Sequence, residues 1–169
     1  MKPHRVVLER PGLPGPLHLC LARHPSESDR RFSARLLALA AHGEAGVRTG
    51  DELCRRDEPA LWLPAPAAGI RLWVEVGAPS GARLRRALQR AERVAVYTWQ
   101  GNAARSWWRR TVRELPARGR PEVHLLPPWV GEAVASLLAA RLELRVSATG
   151  RRWQLSLNGR ELTFAEERL

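Results

Sequence analysis

Glu75, in the run "LWVEVGAPS", is a carboxylate in a strand otherwise suited to burial, and a helix crowded with arginine follows it. Side chains alternate along a strand with period two, so Glu75 shares a face with Arg71 and Trp73. If a helix covers that face, an unpaired carboxylate there costs on the order of several kcal/mol and calls for a metal, a cation or a proton. If water covers it, Arg71 and Glu75 are neighbouring surface charges worth under about 1 kcal/mol. Asp57 and Glu58 stand upstream in "RRDEPALWL", where Pro59 fixes the backbone beside them. A carboxylate at the mouth of one element and another inside the next strand can converge on a divalent cation, which takes hard oxygen ligands. Acid–proline pairs are also ordinary turn residues.

The elements that must place these groups follow from periodicity. "HRVVLE" and "LHLCLAR" flank a Pro/Gly turn and predict an N-terminal β-hairpin. In "HPSESDRRFSARLLALAAH", Ser26 and Asp29 have capping-box spacing, and Phe32, Leu36, Leu37, Leu39 and Ala40 make one apolar helical face. From residue 70 onward, strands at 70–76, 93–98 and 122–126 alternate with helices at 80–92, 101–115 and 129–140, and strands near 142–148 and 152–157 close the chain. That alternation predicts an α/β fold, a largely parallel or mixed sheet covered by helices, in a single domain over 1–169. In the helix after Glu75, Leu84, Ala87, Leu88 and Ala91 face the core, while Arg83, Arg86 and Arg90 share another side. The next helix repeats the plan: Ala104, Trp107, Trp108, Thr111, Val112 and Leu115 point inward, and Arg105, Arg109 and Arg113 outward. Two such faces make either a basic groove or two ordinary solvated helix surfaces. Tyr97 and Thr98 end a strand at the sheet's carboxyl edge, where open α/β sheets bind ligands.

The chain as a whole is cationic. Its formal net charge is +11, and Lys2 is the only lysine among 28 basic residues. Such an excess is either an effect of composition bias, which the near-absence of lysine suggests, or a surface for a polyanionic partner, nucleic acid above all, bound through counterion release. Cys20 and Cys54 form no metal-ligand pattern and read as reduced structural thiols. No phosphate-binding loop, nucleophile elbow, zinc motif or dinucleotide fingerprint occurs. The N-terminus lacks the apolar stretch of a secretory signal and no run is long enough to span a membrane, so the expected location is the cytoplasm, with no membrane partner.

"LARHPSES" with "ARLLALA", then "LCRRDEPALWL", "LWVEVGAPS", "LRRALQRAERVAVYT" and "ARSWW", resemble in order the landmarks of the bacterial YaeQ family, over almost the whole chain. That resemblance implies a restriction-endonuclease-like fold, similar to the PD-(D/E)XK nucleases, with a variant active site. It implies that Asp57, or Glu58 beside it, and Glu75 bind Mg²⁺ or Mn²⁺, with Glu27 as an additional helical carboxylate. The tripeptide Glu75-Val76-Gly77 has glycine where the motif carries lysine. A cation migrated to the next helix would then stand in: Arg86 as the catalytic candidate, with Arg83, Arg85, Arg90, Arg105 and Arg109 on phosphate. Arginine stays protonated, so it can orient phosphate but does not readily act as a base. Three expectations follow: a metal-dependent nuclease, a nucleic-acid-binding protein of the same fold without turnover, and a regulatory protein whose partner contacts include some of its seven tryptophans. Trp73, Trp107 and Trp108 read most simply as core, and His24 as a structural hydrogen-bond partner.

Overall fold

Apolar residues at every second position build the N-terminal hairpin, β1 (Lys2–Glu9) and β2 (Leu17–Arg23), and helical periodicity builds α1 (Asp29–His42). These belong to a computed structural model that describes residues 1–50 and 58–169. Asp57 and Cys54 lie outside the described residues. The remaining strands are β3 (Arg48–Thr49), β4 (Leu61–Pro64), β5 (Ile70–Val76), β6 (Ala91–Thr98), β7 (Glu122–Leu125), β8 (Arg141–Thr149), β9 (Arg152–Leu157), β10 (Arg160–Ala165) and β11 (Glu167–Arg168). The remaining helices are α2 (Gly81–Arg90), α3 (Asn102–Thr111), which runs into a 3-10 turn at Val112–Glu114, and α4 (Pro128–Ser136).

The chain divides into two compact units, each made of two segments: 1–45 with 127–166, and 46–126 with 167–169. Instead of the one mixed sheet expected, each unit has its own. In the first unit the order is β10-β9-β8-β1-β2, with β1 parallel to β8 and the other neighbours antiparallel. The predicted hairpin is present, and β1 sits inside the sheet between β8 and β2. One face is apolar and buried, with Val6 and Leu8 of β1, Leu142, Leu144 and Val146 of β8, and Trp153, Leu155 and Leu157 of β9. α1 packs on α4 and on β8.

In the second unit the order is β11-β7-β6-β5-β4-β3. Strands β5, β6 and β7 run parallel, joined by α2 and α3 as the alternation predicts, and β4 and β11 add antiparallel neighbours. On the helix side, Trp73 of β5, Val94 and Val96 of β6 and Val123 of β7 enclose a core with Leu84 and Ala87 of α2 and Leu115. Trp107 and Trp108 pack against it partly buried. On the opposite side of the sheet, Tyr97 stacks on His124, ring centroids 4.2 Å apart. Register puts Glu75 beside Val96, so the carboxylate lies on the helix-covered face.

Candidate functional site

Burial decides the first question that Glu75 raises, for the residue is 1% exposed. It needs a partner, and it has a cation. Arg83, in the first turn of α2, donates Nε–H to Glu75 Oε1 at 2.7 Å, and Trp73 donates Nε1–H to the same oxygen at 2.7 Å. Arg83 also donates through Nη2 to the backbone carbonyl of Glu58 at 2.7 Å, so one guanidinium ties the chain just before β4 to the C-terminal end of β5. The helix is held at the same residue, because Ser80 caps α2 by accepting from the Arg83 amide at 3.2 Å. Sequence periodicity puts Arg83 outward with Arg86 and Arg90. The structure turns it inward, because its long arm reaches a carboxylate that has no other cation on its own strand face except Arg71.

The other arginines expected on phosphate sort into two kinds. Arg85 donates to the Glu114 carbonyl at 2.9 Å and lies 3.5 Å from its carboxylate. Arg105 forks onto Glu167, with Nη2 2.5 Å from Oε2 and Nε 3.2 Å from Oε1, and this carboxylate holds the guanidinium pKa above its ordinary value. Arg93 pairs with Glu122, and the Glu122 carboxyl is held below its ordinary value: burial pushes it up, but the Arg93 hydrogen bond and the charges of Arg93, His124 and Arg168 outweigh that. Arg90 lies 5.5 Å over the Trp73 ring as a cation–π partner. Arg86 is exposed. Arg109 has a hydrogen bond to Ser106 and, among the described residues, no ion pair. The same lack of an ion pair holds for Arg110, Arg113, Arg118 and Arg120, all exposed, which run from the end of α3 into the loop before β7. Arg110, Arg118 and Arg120 were missed in the sequence, where one sits beside the outward helical stripe and the others in a Pro/Gly loop. Their signal is the arginine-rich run "RRTVRELPARGR" itself.

Glu27 belongs to the first unit and Glu75 to the second. Glu27 is 3% exposed, and Arg35 Nη2 approaches its Oε2 at 3.2 Å. Burial pushes its carboxyl pKa up, opposed by Arg35, Arg31 and Arg23. The expected cap at Ser26 is corrected, since Ser28 is the N-cap and accepts from the Arg31 amide at 3.2 Å. Ser26 pairs instead with His24, Oγ to Nδ1 at 2.6 Å, which is the structural role expected for that histidine.

Mg²⁺ or Mn²⁺ asks for several hard oxygens with lone pairs to give. Glu75 Oε1 already accepts two N–H groups, one of them cationic. Among the described residues no group of three or more His, Cys, Asp or Glu is placed to hold a metal. The described residues alone therefore do not fit the ion, and Asp57 is not among them.

The family model described as "YaeQ protein" matches residues 13–165. The chain belongs to the YaeQ family. Among curated relatives, it is similar to "Uncharacterized protein YaeQ" of Escherichia coli (strain K12), 41% identical over 90 residues, which is 53% of this chain and 50% of that protein. It is 39% identical over a stretch of the same length to the protein of that name from Salmonella typhi. The matched stretch thus spans about half the length of these relatives. The crystal structure of YaeQ protein from Xanthomonas axonopodis pv. citri superposes with a TM-score of 0.87 at 27% identity, covering 99% of this chain and 97% of that one. That of YaeQ protein from Pseudomonas syringae gives 0.89 at 23%, covering 99% and 95%, a likeness of fold. Both share the mixed α/β architecture, with helices flanking the sheets.

Proposed function

We propose that this YaeQ-family protein binds nucleic acid through the phosphate backbone, with the arginines at the end of α3 and in the following loop as its contact surface. The observation that supports this reading is a division of labour among cations in the second unit. Arg83, Arg85, Arg93 and Arg105 are engaged by protein carboxylates. Arg109, Arg110, Arg113, Arg118 and Arg120 have no such counter-ion among the described residues. Unpaired, exposed guanidinium groups gathered on one stretch are what a polyanion displaces counterions to reach. In this reading Glu75 is the internal counter-ion that sets α2 on the sheet.

The test is a titration of a labelled oligonucleotide by fluorescence anisotropy. With about four phosphates neutralised, affinity falls about a hundredfold between about 50 and about 200 mM salt. Arg110→Glu with Arg113→Glu weakens binding and flattens that dependence. A protein that binds no oligonucleotide at low salt sinks the reading.

A second reading, a metal-dependent phosphodiesterase of the restriction-endonuclease-like class, is favoured by one observation: the chain at Glu58 and the carboxylate of Glu75 meet at the same guanidinium. Its mark is metal-dependent cleavage that Glu75→Gln abolishes.

A further inference from the structure

We infer that a groove along α3 takes an unpaired nucleotide, so that the protein prefers single strands to duplex; this rests on the nucleic-acid reading above. The groove has a volume of about 460 Å³ and is lined by Asn102, Arg105, Ser106, Trp108, Arg109 and Leu169. Its size falls in the usual range for a small-ligand pocket. All of it lies in the second unit.

The helix explains the lining. Asn102, Arg105, Ser106 and Arg109 recur at helical spacing and form one stripe, while Ala104 and Thr111 are buried on the other side. Trp108 sits on the border, three positions from Arg105 and four from Ala104. It is partly buried, packs against the core, tilts against Trp107 with ring centroids 5.8 Å apart, and also lines the groove. An indole fixed from behind is a preorganised stacking platform, since little freedom is lost when a base is laid on it.

The charges flank this ring. Arg105 and Arg109 are one helical turn apart, about 6 Å along the axis. Glu167 grips Arg105, which aims it and partly neutralises it. Asn102 Oδ1 accepts from the same guanidinium at 2.9 Å. Arg109, whose hydrogen bond is to Ser106 Oγ at 3.2 Å, keeps its charge for a phosphate. Indole, guanidinium and polar side chains together match a base with its phosphate. In a duplex the base faces are already stacked, so only an unpaired base can use the indole.

The experiment compares a labelled single strand with the duplex of equal length at one salt concentration, on the full chain. The single strand binds about tenfold tighter or more. Trp108→Leu brings the two affinities together, and Ser106→Glu, which puts a carboxylate in the groove without touching the core, does the same if the leucine variant does not fold. Equal affinities for strand and duplex in the unaltered protein, or a preference that survives both substitutions, overturn the groove assignment while leaving the backbone-binding reading in place. Absence of binding to either form overturns both.

Discussion

A buried carboxylate that accepts from a guanidinium and an indole is a joint, and its chemistry can be read from what replaces it. Glu75→Gln keeps an acceptor but removes the negative charge that faces Arg83 Nε at 2.7 Å, in a site where Glu75 itself is 1% exposed. The expected loss is about 2 kcal/mol, that of a charged hydrogen bond and less than that of a fully buried pair because the Arg83 side chain is 18% exposed, read as a lower urea midpoint with unchanged slope. Mg²⁺ should leave the melting temperature of the unaltered protein where it is. A rise with Mg²⁺ that disappears in Glu75→Gln would return the residue to the ligand role that the resemblance implies, because selective binding to the native state raises stability. Glu27 has the opposite kind of balance. Its folded pKa lies above the ordinary 4.5, with burial as the main cause. The native state then holds its proton longer than the unfolded chain does, so stability falls as pH rises from about 4.5 towards the folded value and is level above it. The melting temperature of the unaltered protein minus that of Glu27→Gln should therefore decline over this window. A difference that grows with pH would show that Arg35 outweighs burial.

Among the elements, α2 does most to position the candidate site, and one hydroxyl starts it. Ser80→Ala removes the acceptor for the Arg83 amide and should cost about 1 kcal/mol, which Ser80→Asp restores, as thermal melts would show. Cap and ion pair share Arg83, so the two losses in a Ser80→Ala, Glu75→Gln double variant should not add. The parallel half of the second unit was legible in the sequence because its strands are apolar runs separated by helices of ordinary length. The burial of Leu84, Ala87, Ala104 and the α1 face was legible from periodicity too. β4 was not, being four residues of which the last is Pro64, and neither was its pairing with β5. β10 was missed although its signal is present: Asn158 and Gly159 both take positive φ, 50° and 79°, in the two-residue turn that an Asn-Gly pair favours. At the site, the identity of Glu75 as the carboxylate under a helix was legible, as was its need for a partner. Its partner was not, because an arginine's reach spans several helical positions and spacing alone does not say which way it bends.

For the whole molecule, the charge excess of eleven is unevenly used, since many guanidinium groups are engaged by carboxylates within their own unit. Total charge therefore overstates the contact surface. The salt dependence of oligonucleotide binding should correspond to about four or five phosphates rather than eleven, a slope near −4 on logarithmic axes for duplex. A slope steeper than about −8 would mean that the internal pairs open on binding. Among the described residues no helix is long and apolar enough to cross a membrane.

The parallel ladder between β1 and β8 sets Leu8 beside Leu144, and the His4 ring bonds the Ala139 carbonyl across 135 positions. A ribosome therefore releases the opening hairpin long before the strand that will flank it exists, whereas β3, β4, β5 and β6 find all their neighbours between residues 48 and 125, and only the short β11 joins β7 from the far end of the chain. Pulse-labelled nascent chains should thus show protease resistance first in the interior of the sequence and only afterwards at its beginning.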